Sequence, residues 1–305
     1  MKISLFMHAI CSTVGFRLDA GSRILPHPAK VSKGGEDAIF SEGRAFGVFD
    51  GVGGWKDKGV DPGLFSRELA AQVGAAFEGD PPPSAGRSLT AVLEVGLEAT
   101  LAKKCVGSCT ACLVRIARDG KLDALNLGDS GFRIFRDDGH GALELVAASN
   151  AQQHYFNCPY QLGTNNMNRA RDADAYEARV QAGDVLMLAT DGLLDNLFDD
   201  QIADILAETL AEAPAEDGTL GETLACRLAD RARAVSISRH ARTPWSEARE
   251  ATRDKGRYES VDSRIFPWSE AARRSNWRGG APRHLAIPHV PRLEPRRTVC
   301  AKLYA

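Results

Sequence analysis

Along the chain, apolar and polar positions change period in blocks. Up to residue 50, short apolar runs between polar loops predict strands: GFRLDAG and RILPHP, then, past the loop KVSKGGED, AIF and AFGVF. GLFSRELAAQVGAAF switches to helical spacing and sets Leu64, Phe65, Leu69, Val73, Ala76 and Phe77 on one face. Beyond the connector Pro81-Pro82-Pro83, a second helix over Ser88 to Ala102 turns Leu89, Val92, Leu93 and Leu97 inward. TACLVRIA then turns at Arg118-Asp119-Gly120-Lys121 into LDALNLG, and FRIFR turns at Asp137-Asp138-Gly139 into ALELVAA, giving two hairpins. The strand DVLMLAT follows, and after it the helices DDQIADILAETLA and Gly221 to Ser236. Strands and helices come in blocks rather than in strict alternation. That predicts antiparallel sheet under helices, not a doubly wound parallel fold.

From Thr243 onward the periodicity fades. Pro244-Trp245-Ser246-Glu247-Ala248 recurs as Pro267-Trp268-Ser269-Glu270-Ala271, and the prolines beyond are spaced too closely for a long central strand. The expected organisation is one domain over residues 16–250 and a divergent Arg/Pro-rich tail over 251–305, partly disordered.

Composition narrows the picture. The 305 residues can bury a sizeable core, and 38 basic against 40 acidic side chains leave a net charge of −2. No overall field favours nucleic acid or a membrane surface, and no apolar run approaches the length of a membrane span. The opening MKISLFMHAICSTVGFRL matches a targeting segment weakly and serves equally as a first strand. Seven thinly spread cysteines argue against a disulfide framework and for a reducing, intracellular compartment. Cys105, Cys109 and Cys112 lack a second ligand pair, so they are expected in the core rather than on zinc. A monomer is expected.

Candidate chemistry sits where apolar runs stop. Three runs end in an aspartate beside small residues: GVF-Asp50-Gly51, LNLG-Asp129-Ser130-Gly131 and LMLAT-Asp191-Gly192. Glu36-Asp37 precedes another strand, and Asp195 follows Asp191 by four. Strand ends deliver side chains to one rim of a sheet, where crowded carboxylates repel unless cations neutralise them. Mg²⁺ and Mn²⁺ take such oxygen ligands, and a glycine after the acid lets the backbone come close. Each Asp-Gly alone is also an ordinary turn signal, which is how Asp119, Asp137 and Asp138 are read, while Asp199 is expected to cap a helix.

The combination resembles the metal-dependent protein phosphatases of the PP2C type, in the branch with IPHP…GGEDA and DGVGGW motifs (PTC7-like). The pieces are LPHPAKVSKGGEDAIF (25–40), FGVFDGVGGW (46–55), GVDPGLFSREL (59–69), GSCTACL (107–113), LNLGDSGF (125–132), QQHYFNCPYQLG (152–163) and GDVLMLATDGLLDNL (183–197). The resemblance implies an α+β fold, a four-layer α-β-β-α sandwich of two antiparallel sheets flanked by helices, with a metal centre in a cleft at one edge. It implies two Mn²⁺ or Mg²⁺ ions, a weaker third, and a phosphoprotein substrate whose phosphoserine or phosphothreonine is hydrolysed by water held at the metals. In this resemblance Asp50 bridges two ions, the Gly51 carbonyl completes one and Asp191 binds the other. Glu36 and Asp37 reach the first ion through waters, and Asp129, Asp191 and Asp195 form the weaker position. No covalent phospho-enzyme is needed, so no cysteine is assigned a catalytic role. Because the branch includes mitochondrial members, mitochondrion and cytoplasm are the expected compartments.

Two departures stand out. Where many relatives place a phosphate-binding Arg, this chain has Ser32; Lys30 or Lys33 is the substitute for the substrate phosphate, without the bidentate fork of Arg. The family's final strand carries a further metal-ligating Asp. Here GGAPRHLAI puts Arg283 at that place, unless Asp262 of VDSRIF supplies the acid. A lost acid would weaken the site. The leading expectation is therefore an active phosphatase. The alternatives are a pseudophosphatase serving as a phosphoprotein-binding scaffold, and a metal-dependent phosphoesterase acting on another substrate.

Overall fold

The computed structural model describes residues 5–9, 11–12, 15–16, 18–77, 86–164, 168–212, 219–254 and 298–302. In chain order the strands are β1 (Leu5–Ala9), β2 (Cys11–Ser12), β3 (Gly15–Phe16), β4 (Ala38–Glu42) and β5 (Ala45–Phe49). The helices α1 (Pro62–Phe77) and α2 (Leu89–Ala102) come next. Then follow β6 (Ser108–Cys109), β7 (Ala111–Ile116), β8 (Lys121–Leu127), β9 (Gly131–Asp137) and β10 (Leu143–Ala148). Short strands β11 (Gln153–Tyr155), β12 (Cys158–Pro159) and β13 (Leu162–Gly163) precede β14 (Asp174–Arg179) and β15 (Val185–Ala189). The helices α3 (Asp191–Leu194), α4 (Asp199–Glu212), α5 (Leu220–Ser236) and α6 (Pro244–Asp254) follow, and β16 (Thr298–Lys302) is the last element.

The fold is α+β. One five-stranded sheet runs β14-β8-β7-β5-β4, antiparallel throughout; the other runs β1-β16-β15-β9-β10. Inside the second sheet β16 lies parallel to β15, so that sheet is mixed where an antiparallel one was expected.

Three apolar layers hold the sandwich together. Phe65, Leu69 and Val73 of α1 and Val92, Leu93 and Leu97 of α2 cover the outer face of the first sheet, meeting Phe49 and Leu113. Phe46, Val48, Cys112, Val114, Ile134 and Leu186 fill the space between the sheets. Leu206 of α4 and Leu224 and Leu228 of α5 cover the second sheet over Val185 and Met187. β5 is buried at all five positions because it has a partner on each edge and a layer on each face. Gly47 in its middle is required by packing: a Cβ there would stand 2.3 Å from the Phe40 ring.

Several local expectations change in the structure. RILPHP makes no strand; the chain is irregular to His27 and turns as a 3-10 helix over Pro28–Lys33, because its prolines remove ladder donors. GFRLDAG contributes only β3. Leu64 faces solvent at 54% exposure, since α1 packs through the stripe that begins at Phe65. Asp199 starts α4, and its carboxylate takes the Arg133 guanidinium at 2.8 Å. The fading pattern after Thr243 hides α6, an 11-residue helix whose start is closed by Thr243 Oγ1 accepting from the Ser246 amide at 3.1 Å. Its apolar residues are few and, apart from Trp245, small, so the helical spacing of Trp245, Ala248 and Ala251 is overlooked in a strongly polar segment.

Candidate metal centre

Four chain segments deliver carboxylates to one end of the sandwich. Asp37 immediately precedes β4 and Asp50 immediately follows β5, so the hairpin between those antiparallel strands places both at the same end. Asp129 lies in the link from β8 to β9, and Asp191 opens α3 just after β15. The last turn brings in Asp195 at the end of α3. Each of Asp50, Asp129, Asp191 and Asp195 keeps part of its surface open to solvent.

The polypeptide around Asp50 is tightly fixed. Its amide donates to Thr110 Oγ1 at 3.2 Å, its carbonyl accepts from the Thr110 amide at 2.9 Å, and Thr110 Oγ1 shares a 2.7 Å bond with Ser130 Oγ. The Gly51 amide donates to the Glu36 carbonyl at 3.1 Å. A Cβ on Gly51 would lie 2.3 Å from that carbonyl oxygen and 2.7 Å from that of Pro62. Glycine is therefore needed here for close backbone approach, not for a left-handed conformation. Thr190 Oγ1 reaches Asp37 Oδ2 at 3.4 Å, and Gln153 Nε2 reaches Asp129 Oδ2 at 3.2 Å.

The carboxylates raise one another. Burial first, then the charges of Asp37 and Asp191, hold the Asp50 carboxyl well above its usual range, and it hydrogen-bonds both neighbours. Burial also raises Asp191, against the bond from Asp50 and the charge of Lys30. Asp129 and Asp195 are each pushed up to about 8, by burial and then by Asp191. Glu36 stands apart. Burial works against its charge, yet the Lys30 hydrogen bond and the ammonium charges of Lys30 and Lys56 outweigh it, and its pKa lies below the usual carboxylate range. Cys109, at the side of Asp50, has its thiol pushed well up by burial and then by Asp50, so it offers no thiolate nucleophile.

Among the described residues, no three His, Cys, Asp or Glu side chains are spread around a common point as a ready cage for a metal. Asp37, Asp50 and Asp191 instead bond to one another through Asp50. The donor set is carboxylate oxygen throughout, which suits a hard divalent cation, and such a cation relieves the repulsion that Asp37 and Asp191 add to burial in raising the Asp50 carboxyl. The residues present fit a Mg²⁺- or Mn²⁺-type group.

Every described candidate except Lys33 meets at this end of the sandwich. Glu36 arrives with Lys30 bound to one oxygen and Lys56 Nζ 2.7 Å from the other. Lys33 is exposed and lines an adjoining cavity of about 700 Å³ between α1 and β4, whose wall includes Arg67 and, from the acid cluster, Asp37. Arg283 and Asp262 lie outside the described residues. Sequence patterns did not mark Lys56, Thr110, Thr190 or Gln153. Only Lys56 had a local signal, its place in the loop that follows Asp50-Gly51.

Trp245 was also missed. Its amide donates to the Asp195 carbonyl at 3.2 Å, its indole nitrogen to Asn157 Oδ1 at 3.4 Å, and its ring lies 5.6 Å from that of Phe156. Through it α6 braces both the Asp195 turn and the β11–β12 hairpin that carries Gln153.

No family model matches the chain. Curated relatives do. A probable protein phosphatase 2C 80 of Arabidopsis thaliana is 38% identical over 240 residues, which is 78% of this chain and 54% of the relative. The protein phosphatase PTC7 homolog of Xenopus laevis is 38% identical over 203 residues, 61% of this chain and 65% of the relative. Among solved structures, that of the photosystem II phosphatase PBCP superposes with a TM-score of 0.63 at 29% identity, covering 83% of this chain and 87% of that one. The chain spans between half and two thirds of the length of those two curated relatives.

The matched residues and the two-sheet sandwich are similar to those of PP2C-type phosphatases. The chain's relatives include PTC7 homologs of Xenopus laevis and Homo sapiens.

Proposed function

We propose that the chain is a metal-dependent protein serine/threonine phosphatase that hydrolyses phosphoserine or phosphothreonine in a phosphoprotein, with Mn²⁺ or Mg²⁺ as its cofactor. The observation that carries this is the contact of Asp50 with Asp37, its neighbour across one hairpin, and with Asp191 from a distant part of the chain. Such a cluster is costly to fold unless cations are its purpose. Kinship with protein phosphatases supports the same reaction.

Asp37, Asp50 and Asp191 would hold the cations, with the Gly51 carbonyl beside them. Asp129 and Asp195 would form a second place next to Asp191. When bound, the cations supply charge neutralisation of the phosphoryl group and an activated water for in-line attack. The chain's own part is positional. The Thr110–Ser130 hydroxyl pair fixes the backbone at Asp50, and Thr190 orients Asp37. Gln153 orients Asp129, and Trp245 fixes the turn of Asp195. Lys30, beside Asp50 and Asp191, brings positive charge to the place where a phosphoryl oxygen would sit.

The test is hydrolysis of a phosphothreonine peptide with and without Mn²⁺, repeated with chelator and with Asp50→Asn. Metal-dependent release of phosphate that both treatments abolish is the expected result. Metal-saturated wild type that binds the phosphopeptide without turnover would favour a scaffold instead. The organisation put forward is a phosphatase domain over residues 16–250 followed by a divergent segment to residue 305, with β1 before it and the end of α6 and β16 after it adding to the same fold.

A further inference from the structure

Lys56 stands on the 3-10 turn Gly53–Lys58, three residues beyond the Asp50-Gly51-Val52-Gly53 stretch, and reaches back to Glu36. Its Nζ lies 2.7 Å from Glu36 Oε1, while Lys30, from the turn Pro28–Lys33, binds Oε2. One carboxylate with 9% of its side chain exposed thus anchors two ammonium groups, whose side chains remain 31% and 45% exposed. Two positive charges against one negative leave a surplus of one positive charge at the edge of the acid cluster. Each ammonium has three N–H donors; Lys30 spends one on Glu36 Oε2, while Lys56 meets Oε1 as an ion pair without hydrogen-bond alignment.

The space beside this bracket is open. A Cβ on Gly53 would meet nothing nearer than Glu36 Oε2, at 3.9 Å. Lys30 lies in the field of both Asp50 and Asp191, so the bracket borders the acids rather than a remote surface. Ser32, the position expected to hold a phosphate-binding Arg, is exposed, and Lys33 lines the separate cavity against α1.

We infer that Lys56, paired with Lys30 across Glu36, forms the subsite for the substrate's phosphoryl oxygens. The proposal rests on reading the chain as a phosphatase. A guanidinium presents two donors in a fixed fork; here two ammonium groups achieve a fixed spacing because one carboxylate ties them together. The ligand class is a phosphate monoester dianion, and inorganic phosphate, the product, should occupy the same place. A purely structural role, in which the lysines only neutralise Glu36, predicts a loss of stability without any loss of phosphate affinity.

The experiment uses the full chain loaded with Mn²⁺. Inorganic phosphate is titrated calorimetrically and used as a product inhibitor against a phosphothreonine peptide. Lys56→Ala should weaken phosphate binding and raise KM by about tenfold with kcat within about twofold of wild type, and Lys56→Arg should restore most of both. Lys103→Ala, which removes a surface partner of Glu68, should alter neither. Unchanged phosphate affinity and KM in Lys56→Ala, or a change confined to thermal stability or Mn²⁺ affinity, would overturn the subsite. Wild type that binds phosphate through Lys56 but leaves the phosphopeptide intact would sink the phosphatase reading and keep the subsite, so the two failures read differently.

Discussion

Asp50 and Asp191 hydrogen-bond each other although they follow strands of different sheets, β5 in one and β15 in the other. The contact exists because the sheets pack face to face through Phe46, Val48, Leu186 and their neighbours, which brings the two strand ends to the same rim. Its energetics carry opposite consequences for stability and for activity.

Asp50→Asn should lower metal-dependent turnover by about a hundredfold or more, because the acid shared between Asp37 and Asp191 is gone. The same change should raise the melting temperature of the metal-free protein, since it removes a buried group from a set of like charges. Activity assays and thermal melts in chelator check the pair. A variant both inactive and less stable would mean that Asp50 serves folding instead.

Wild-type protein should melt at higher temperature as Mn²⁺ is added, and chelator should reverse it. At a hundredfold excess over the dissociation constant, mass action contributes about 2.7 kcal/mol. A flat melting temperature across the titration would exclude a folded-state metal site.

In chelator, stability should fall as pH rises. Asp129 and Asp195 have folded-state pKa values of about 8, against about 4 for an unperturbed aspartate. The folded state therefore holds their protons more tightly than the unfolded chain. The resulting stabilisation is fully present below about pH 4 and is lost progressively up to about pH 8. Asp129→Asn should flatten that slope, as read from melts across the pH series.

Trp245→Ala should loosen α6 from the β11–β12 hairpin that carries Gln153, the partner of Asp129. It removes the indole bond to Asn157 and the Phe156 ring contact, while the backbone amide bond to the Asp195 carbonyl stays. The expected result is weaker metal binding at the Asp129–Asp195 place by about tenfold, at a modest cost in stability. Calorimetric Mn²⁺ titration should show the weaker binding step shift while the tighter one is unchanged.

Arg136→Ala should destabilise the fold by about 3 kcal/mol, visible in denaturant melts. It would strip both guanidinium bonds, at 2.6 and 2.7 Å, from the fully buried Asp184 carboxylate.

Much of this protein could be read along the chain, because period is a local property. The apolar spacing of α1, α2, α4 and α5, the hairpins at Asp119-Gly120 and Asp138-Gly139, and the abrupt ends of β5 and β15 at Asp50 and Asp191 all follow from neighbouring residues. Where local evidence was thin it misled. Pro-containing RILPHP looked like a strand, and polar α6 looked like nothing at all.

Tertiary structure alone decided which acids meet, because contact between Asp37, Asp50 and Asp191 depends on how two sheets stack rather than on any spacing in the chain. It also decided that Glu36 faces Lys30 and Lys56 instead of the aspartates, and that Trp245 braces Asp195. Side chains carry their chemistry in the sequence. Whether a carboxylate meets an ammonium or another carboxylate is set by packing, and that choice separates a salt bridge from a metal site.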